Sequence, residues 1–343
     1  MSWPSRLRAS PELFPLDLDP STDTVALLEL SRIEYERASF LDGRLERPAA
    51  AQTPFAELSQ AGQGLPVACD YIFHVGHVGS TLLSRLLGFH PRVFSLREPQ
   101  ALRTLAQAGA AAAPWPPAEL NRRLALFVAL YSRTWTMQER SLVKATSLVS
   151  ELASSLLDLA PASRALMMTV RPETYLATIL GGPNSRTELR LAAPSRMARL
   201  SGRLGADLGR AEDLSEGELA AMSWTCEMLG LTRAAHAHPG RATWTDFDRF
   251  LANPAAGLTR ALNALHGAVD PEAVERLMKS GFLQRYSKSP TYSYGPEVRR
   301  EALEAARRES AVEISRGLAW LERAADLGPV AEALLAASAA ARE

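Results

Sequence analysis

The stretch DYIFHVGHVGSTLLSRLL, at residues 70–87, constrains the fold of this chain more than any other feature. Residues 68–75 form an apolar run typical of a buried strand, and residues 80–89 (STLLSRLLGF) read as an amphipathic helix. The glycines between them allow a tight turn, and the helix N-terminus offers unpaired N–H groups and a positive dipole end. The sequence therefore predicts a phosphate-binding loop, with the candidate residues Gly76, His77, Val78, Gly79, Ser80 and Thr81.

Short apolar runs continue to alternate with helical segments after this loop. Further strand candidates are RVFSL (92–96), SLVK (141–144), RALMMTV (164–170) and RATWTDF (241–247). Strands separated by helices imply right-handed crossovers and a parallel sheet covered on both faces. We therefore predict a three-layer α/β/α fold with a central parallel sheet over residues 67–343.

The remaining residues are expected to form an N-terminal extension and C-terminal helices. The extension covers residues 1–66 and is partly helical, since residues 21–24 could cap a helix over 25–41, whereas residues 51–66 read as a loop. The stretch from Glu297 onward has helical periodicity and is expected to pack against the sheet.

Composition and charge argue against several classes of protein. The formal net charge is zero, so no global signal favours nucleic acid or an anionic membrane as a partner. No run of about 18 apolar residues occurs, and the N-terminus lacks the apolar core of a signal peptide. Cys69 and Cys226 have neither metal-ligand nor disulfide spacing and are expected to be reduced and buried. These features indicate a cytoplasmic protein.

Side chains with catalytic or anion-binding chemistry follow several predicted strands. Because ligands bind at the carboxyl ends of parallel strands, the pattern selects Glu98, Lys144 and Arg171 in addition to the loop. A nucleotide-hydrolysing P-loop needs a lysine after its last glycine and an aspartate that holds magnesium. Here Ser80 follows Gly79 directly, and the neighbouring strand ends carry basic residues. A metal-dependent phosphotransferase or kinase is therefore the less favoured alternative, and no metal site is predicted.

The segment from Gly76 to Leu83 resembles the 5′-phosphosulfate loop of the sulfotransferase superfamily, whose co-substrate is 3′-phosphoadenosine-5′-phosphosulfate (PAPS). The His90-Pro91 turn before the second strand is also similar, and the resemblance extends over about residues 68–255. It implies a P-loop-like sulfotransferase fold. Glu98 stands where the Glu-dependent branches, such as the tyrosylprotein and heparan sulfotransferases, have their catalytic base.

The resemblance also implies roles for other residues. Lys144 is the counterpart of the family's strand-end lysine, and Arg171 of the arginine that binds the 3′-phosphate. The family's hydroxyl eight residues after that arginine is out of register, because Ile179 occupies that place and Thr178 precedes it. His77 stands where the family usually has Lys or Arg, so it could stabilise charge on the departing group.

Two basic segments complete the candidates. Lys288 lies in segment 285–295, which mixes cationic and aromatic residues. In the sulfotransferase superfamily, a loop at a similar position closes over the nucleotide. A second segment is predicted to form a solvated basic face, with contact to nucleotide or to an anionic acceptor as the alternative; it contains Arg186, Arg190, Arg196, Arg199 and Arg203.

The favoured function is therefore metal-independent transfer of a sulfuryl group from PAPS to a hydroxyl or amine of a small-molecule or peptide acceptor. The alternative from another class is a sulfotransferase-like protein that binds nucleotide without catalysis. The sequence makes no prediction about the identity of the acceptor or the oligomeric state.

Overall fold

The strands form two separate sheets. The computed structural model describes residues 2–45, 47–110, 115–284 and 295–342. Its strands are β1 (Leu13–Asp19), β2 (Thr24–Glu29), β3 (Ala51–Pro54), β4 (Cys69–His74), β5 (Val93–Arg97), β6 (Arg140–Lys144), β7 (Ala165–Thr169) and β8 (Ala242–Asp246). The first three form an antiparallel sheet in the order β1-β2-β3, and the others form a parallel sheet in the order β5-β6-β4-β7-β8.

Helices flank the parallel sheet, which confirms the predicted three-layer α/β/α fold. In chain order they are α1 (Trp3–Ala9), α2 (Arg32–Arg37), α3 (Phe55–Gly62), α4 (Ser80–Gly88), α5 (Gln100–Ala110), α6 (Pro117–Tyr131), α7 (Ala153–Asp158), α8 (Pro172–Leu180), α9 (Pro183–Leu204), α10 (Glu216–Ala237), α11 (Phe247–Ala252), α12 (Pro254–His266), α13 (Pro271–Met278), α14 (Pro296–Glu309), α15 (Ala311–Ala325) and α16 (Pro329–Ala340). Short 3₁₀ segments cover Ser147–Leu152, Ala211–Asp213 and Phe282–Gln284.

Strand β4 lies at the centre of the parallel sheet, between β6 and β7. Every residue of β4 is buried, which explains its near-continuous apolar sequence. The chain runs from β4 out to the edge strand β5, returns through β6, and then crosses β4 to reach β7. The carboxyl end of β4 is therefore the point at which the strand order reverses, and ligands bind at such points in open parallel sheets.

The predicted helix over residues 25–41 is wrong. Residues Thr24–Glu29 form β2, which pairs with β1 on one side and β3 on the other, and helix α2 begins only at Arg32. Ser31 and Glu34 form a reciprocal capping box that starts α2, so the cap lies at Ser31 and not at residues 21–24. Residues 51–66, predicted to be a loop, contain strand β3 and helix α3.

Two buried arginines fix the end of α2 beside the parallel sheet. Arg97, the last residue of β5, donates to the carbonyl of Ala38 at 2.7 Å, and Arg85 of α4 donates to that of Arg37 at 3.1 Å. Burial lowers the pKa of Arg97 to about 9, and these carbonyls at the negative end of α2 compensate part of that cost. The Leu41 N–H then donates to the Arg97 carbonyl at 2.7 Å. The loop 38–45 is thereby held at the carboxyl end of β5.

The C-terminal helices pack mainly on other helices. Helix α15 packs against α10 and α8, whereas α16 contacts α10 and strand β8. The backbones of α10 and α15 come so close that a Cβ atom on Gly217 would lie 1.7 Å from the Glu313 carbonyl oxygen. None of the described helices is long and apolar enough to cross a membrane. Cys69 and Cys226 are free and buried, and burial raises the pKa of each thiol to about 12.

A partly buried histidine pair makes stability depend on pH. The rings of His90 and His266 stack with centroids 6.0 Å apart, and burial followed by the charge of His90 lowers the pKa of His266 to about 4. The unfolded chain, in which this pKa is near 6.5, binds the proton more tightly. The stabilising contribution of neutral His266 is therefore complete above pH 6.5 and decreases as the pH falls towards 4.

We expect the free energy of unfolding to decrease between pH 6.5 and 4, and to decrease less steeply in His266→Gln. Urea unfolding at several pH values measures both slopes. His236→Gln, at an exposed histidine in the last turn of α10, is the matched control and should keep the wild-type slope. Equal slopes in the wild type and His266→Gln would contradict the prediction.

Candidate functional site

The predicted phosphate loop connects the end of β4 to the start of α4. Gly76, His77 and Gly79 have φ angles of +96°, +54° and +67°, so the chain turns through left-handed conformations. A Cβ atom on Gly79 would lie 2.0 Å from the ring of Phe247, and no larger residue fits there without moving that ring. Through this turn, the N-terminus of α4 lies at the carboxyl end of β4.

The start of α4 has two features suited to an anion. The first N–H groups of a helix have no intrahelical partners, and the dipole favours negative charge there. Thr81 is only 2% exposed, and its Oγ1 makes no hydrogen bond within the described parts of the chain. A cavity of about 140 Å³ adjoins this turn and is lined by residues that include Val78, Gly79, Ser80, Thr81, Lys144, Thr178, Phe247 and Arg299.

Glu98 and Lys144 meet at the ends of adjacent strands. Glu98 follows β5 with a φ of +54°, and its N–H donates to the Lys144 carbonyl at 2.6 Å. The Lys144 ammonium, on a side chain 1% exposed, donates to one carboxylate oxygen of Glu98. Arg44 Nη2 lies 3.8 Å from the other oxygen. The carboxylate is thus placed between two cations while 14% of its side chain stays exposed.

Glu98 also lines a second, larger cavity of about 840 Å³. His74, His77 and Glu98 line both cavities, so the two spaces adjoin at these residues. The larger cavity extends from Glu98 to helix α9. Gly76 and His77 of the phosphate loop also line it, so a molecule in it would lie beside both the loop and the carboxylate.

The N-terminal part of the chain supplies one wall of the larger cavity, which sequence reasoning missed. Phe40, Asp42 and Arg44 come from the loop 38–45, and Leu16 and Asp17 come from β1. The Arg44 guanidinium lies 3.4 Å from the ring centroid of Phe40, and its Nε is 2.8 and 3.0 Å from the two Asp42 oxygens. No local pattern indicated these residues, because their position depends on the contacts of Arg85 and Arg97.

His77 makes its polar contacts with helix α9. Its Nε2 lies 3.5 Å from Glu188 Oε2, and its Nδ1 lies 3.4 Å from Ser185 Oγ. The side chain is 20% exposed and lines both cavities. His77 is therefore beside the candidate site, with the Glu188 carboxylate close to its ring.

The remaining candidates are placed differently from one another. Thr178 lines the smaller cavity, and its hydroxyl donates to the Thr174 carbonyl at 2.7 Å. Arg171 is exposed at the start of α8 and is not one of the described residues that line the two cavities. Lys288 lies outside the described residues. Arg299, which the sequence reasoning missed, is buried beside the smaller cavity, with its guanidinium 5.0 Å from the Phe247 ring centroid.

The predicted solvated basic face on α9 is only partly present. Arg186 and Arg190 reach Glu216 at the helix surface, whereas Arg196 and Arg199 are buried. Both buried arginines bond Glu227, a fully buried carboxylate of α10. The prediction failed for them because the packing of α10 against α9 cannot be inferred from the spacing of arginines on one helix.

We expect Lys144→Met to destabilise the protein by about 3 kcal/mol, because it removes one partner of a largely buried ion pair. The double variant Lys144→Met/Glu98→Gln should regain part of this loss, since the uncompensated carboxylate is gone. Urea unfolding measures both. Lys279→Met, which breaks an exposed pair with Glu275, is the control and should leave the midpoint nearly unchanged. The prediction would be contradicted if the double variant lost as much free energy of unfolding as Lys144→Met and Glu98→Gln lose together.

Comparisons with known proteins identify only distant relatives. No protein-family model matches the sequence, and no curated protein does. The sulfotransferase domain from the curacin biosynthetic pathway is 13% identical, with 75% of this chain and 98% of that one covered at a TM-score of 0.43. The sulfotransferase domain of the Synechococcus PCC 7002 olefin synthase is 16% identical, with 71% of this chain and 96% of that one covered at a TM-score of 0.39. A sulfotransferase from Alicyclobacillus acidocaldarius is 13% identical, with 74% of this chain and 95% of that one covered at a TM-score of 0.35.

Proposed function

We propose that the chain is a sulfotransferase that moves a sulfuryl group from PAPS to a hydroxyl or amine acceptor without a metal. The observation that carries the proposal is the position of Glu98, which lies where the cavity beside the phosphate loop meets the larger one. A base at this boundary can contact an acceptor in the larger cavity and also lies beside the smaller cavity, from which the sulfuryl group would be transferred. PAPS supplies the activated sulfuryl group.

The residues of the smaller cavity suit the nucleotide. The N–H groups from Gly79 to Thr81 and the Thr81 hydroxyl, which has no partner among the described residues, would bind the 5′-phosphate. Lys144 and Arg299 line the same cavity, paired with Glu98 and Asp248, and would place their cationic groups near the phosphate. The Phe247 ring offers an apolar surface beside these groups. Arg171 keeps the 3′-phosphate role that the resemblance implies, although it is exposed at the start of α8.

The catalytic step needs positioning and charge stabilisation rather than a covalent enzyme intermediate. Glu98 would accept the proton of the acceptor hydroxyl as its oxygen bonds to sulfur. The bond between sulfur and the phosphate oxygen breaks, and that oxygen keeps the electron pair. Lys144 would stabilise the new negative charge, since its ammonium already lies beside the smaller cavity. His77 lines the same boundary and could contribute when protonated.

Nucleotide binding tests the first half of the proposal. We expect calorimetry to show a metal-independent preference for 3′,5′-ADP over ADP and ATP, and an affinity about tenfold weaker in Thr81→Val, which loses one hydroxyl donor to phosphate. Thr81→Val should keep its stability because that hydroxyl has no partner among the described residues. Ser84→Ala is the control: its hydroxyl bonds Ser95 at 2.7 Å, so stability should fall while affinity remains. A magnesium-dependent preference for ATP would overturn the proposal in favour of a phosphotransferase.

Turnover tests the second half. Glu98→Gln keeps the shape of the side chain but cannot accept a proton, so sulfate transfer from labelled PAPS should fall by about 10²–10⁴-fold. Affinity for 3′,5′-ADP should not fall, because the neutral side chain no longer competes with phosphate for the Lys144 ammonium. Glu188→Gln, at an exposed carboxylate that also lines the larger cavity, is the matched control and should retain most activity. Surviving turnover in Glu98→Gln would show that another group is the base. Tight 3′,5′-ADP binding without transfer to any acceptor in a broad panel would favour a non-catalytic nucleotide-binding protein.

A further inference from the structure

The wall of the larger cavity formed by α9 contains a buried cluster with unequal numbers of positive and negative charges. Glu227 Oε1 accepts from Arg196 Nε at 3.1 Å and from Arg199 Nη2 at 3.0 Å. Glu151 accepts from Arg199 Nη1 at 2.6 Å and also from Arg203. Although burial would raise the pKa of Glu227, the charges of Arg199 and Arg196 outweigh it and lower that pKa, so the Glu227 carboxylate is ionised. Three guanidinium groups thus face two carboxylates.

Arg196 brings the excess positive charge to the cavity. Its Nε bonds Glu227 and its Nη2 bonds Ser147 Oγ at 3.3 Å, but its Nη1 has no hydrogen-bond partner in the described parts of the chain. The residue is 7% exposed and lines the larger cavity. Thr146, beside Ser147 on the same wall, has a buried hydroxyl that is also unpaired among the described residues. The unused donor of Arg196 is therefore available to a ligand in the larger cavity.

The other charged groups around the larger cavity do not cancel this charge. Asp42 is held by Arg44 through two hydrogen bonds of Arg44 Nε. Glu188 lies beside His77. Burial raises the pKa of Asp17, so this side chain favours its neutral form more than an ordinary aspartate does. Arg103 adds a further positive charge to the lining. An anion at Arg196 would therefore be attracted rather than repelled.

We propose that the acceptor carries a negatively charged oxygen group, a carboxylate or a sulfate or phosphate ester, which Arg196 binds together with the hydroxyls of Ser147 and Thr146. Its reacting hydroxyl would then lie towards Glu98, which lines the same cavity. This inference rests on the proposed sulfotransferase function, because it assigns the larger cavity to the acceptor.

The test compares charged ligands with neutral partners of the same shape. The pairs are glucuronate with glucuronamide, 4-hydroxyphenylacetate with its amide, and glucose 6-phosphate and glucose 6-sulfate each with glucose. Ligand-observed NMR in the presence of 3′,5′-ADP measures their affinities. At least one anion should bind about tenfold more tightly than its neutral partner, as a charge-assisted hydrogen bond implies. The pair that shows the preference identifies the anionic group.

Variants connect that preference to Arg196. Arg196→Gln should abolish it, whereas Arg190→Gln, at an exposed arginine of the same helix, should not. Ser195→Asp provides a second variant in case Arg196→Gln does not fold: Ser195 is exposed and lines the cavity, so the added carboxylate competes for Arg196. Ser195→Asn is its neutral control and should keep the preference.

The outcomes separate the two proposals. Equal affinity within every pair, or a preference that survives both Arg196→Gln and Ser195→Asp, overturns the anionic acceptor. If 3′,5′-ADP still binds in that case, the sulfotransferase proposal stands. Failure of 3′,5′-ADP to bind the wild type overturns the sulfotransferase proposal instead.

Discussion

The ion pair between Glu98 and Lys144 connects the ends of β5 and β6 at the point where both cavities meet. A carboxylate so little exposed needs a cation nearby, and Lys144 is almost fully enclosed itself, so each residue depends on the other. Strands β5 and β6 are neighbours in the parallel sheet, so their carboxyl ends lie side by side. The sheet order therefore determines that the one carboxylate and the one lysine at these strand ends come into contact.

The N-terminal part of the chain reaches this pair through a second set of interactions. Arg85 and Arg97 bind carbonyl groups at the end of α2, and the loop that follows brings Arg44 within 3.8 Å of Glu98. Burial of a guanidinium is costly unless its N–H donors are satisfied, and the carbonyl groups at the end of α2 accept hydrogen bonds from these two arginines. The same contacts hold the loop that lines the larger cavity. Folding of this N-terminal segment and formation of the larger cavity are thus coupled.

The parts of the fold that could be predicted from the sequence are those whose signals are local. The apolar run before Gly76, the glycines and the helix after Ser80 are contiguous, and strand ends in a parallel sheet share one edge, so Glu98 and Lys144 could be expected near the loop. The helix expected over 25–41 failed because pairing with β1 and β3 overrides local propensity there. The burial of Arg196 and Arg299 could not be predicted, since it depends on how their helices pack against other elements.

The distribution of charge around Glu98 bears on how one carboxylate could serve both binding and catalysis. Before a nucleotide arrives, the ammonium of Lys144 is bound to Glu98 in a place with little water. A phosphate group at the loop would compete for that ammonium, because both anions lie within reach of the same cavity. In the proposed sulfotransferase, nucleotide binding would therefore free a carboxylate oxygen of Glu98 for the acceptor hydroxyl only when the group to be transferred is in place, while Arg44 keeps the side chain oriented.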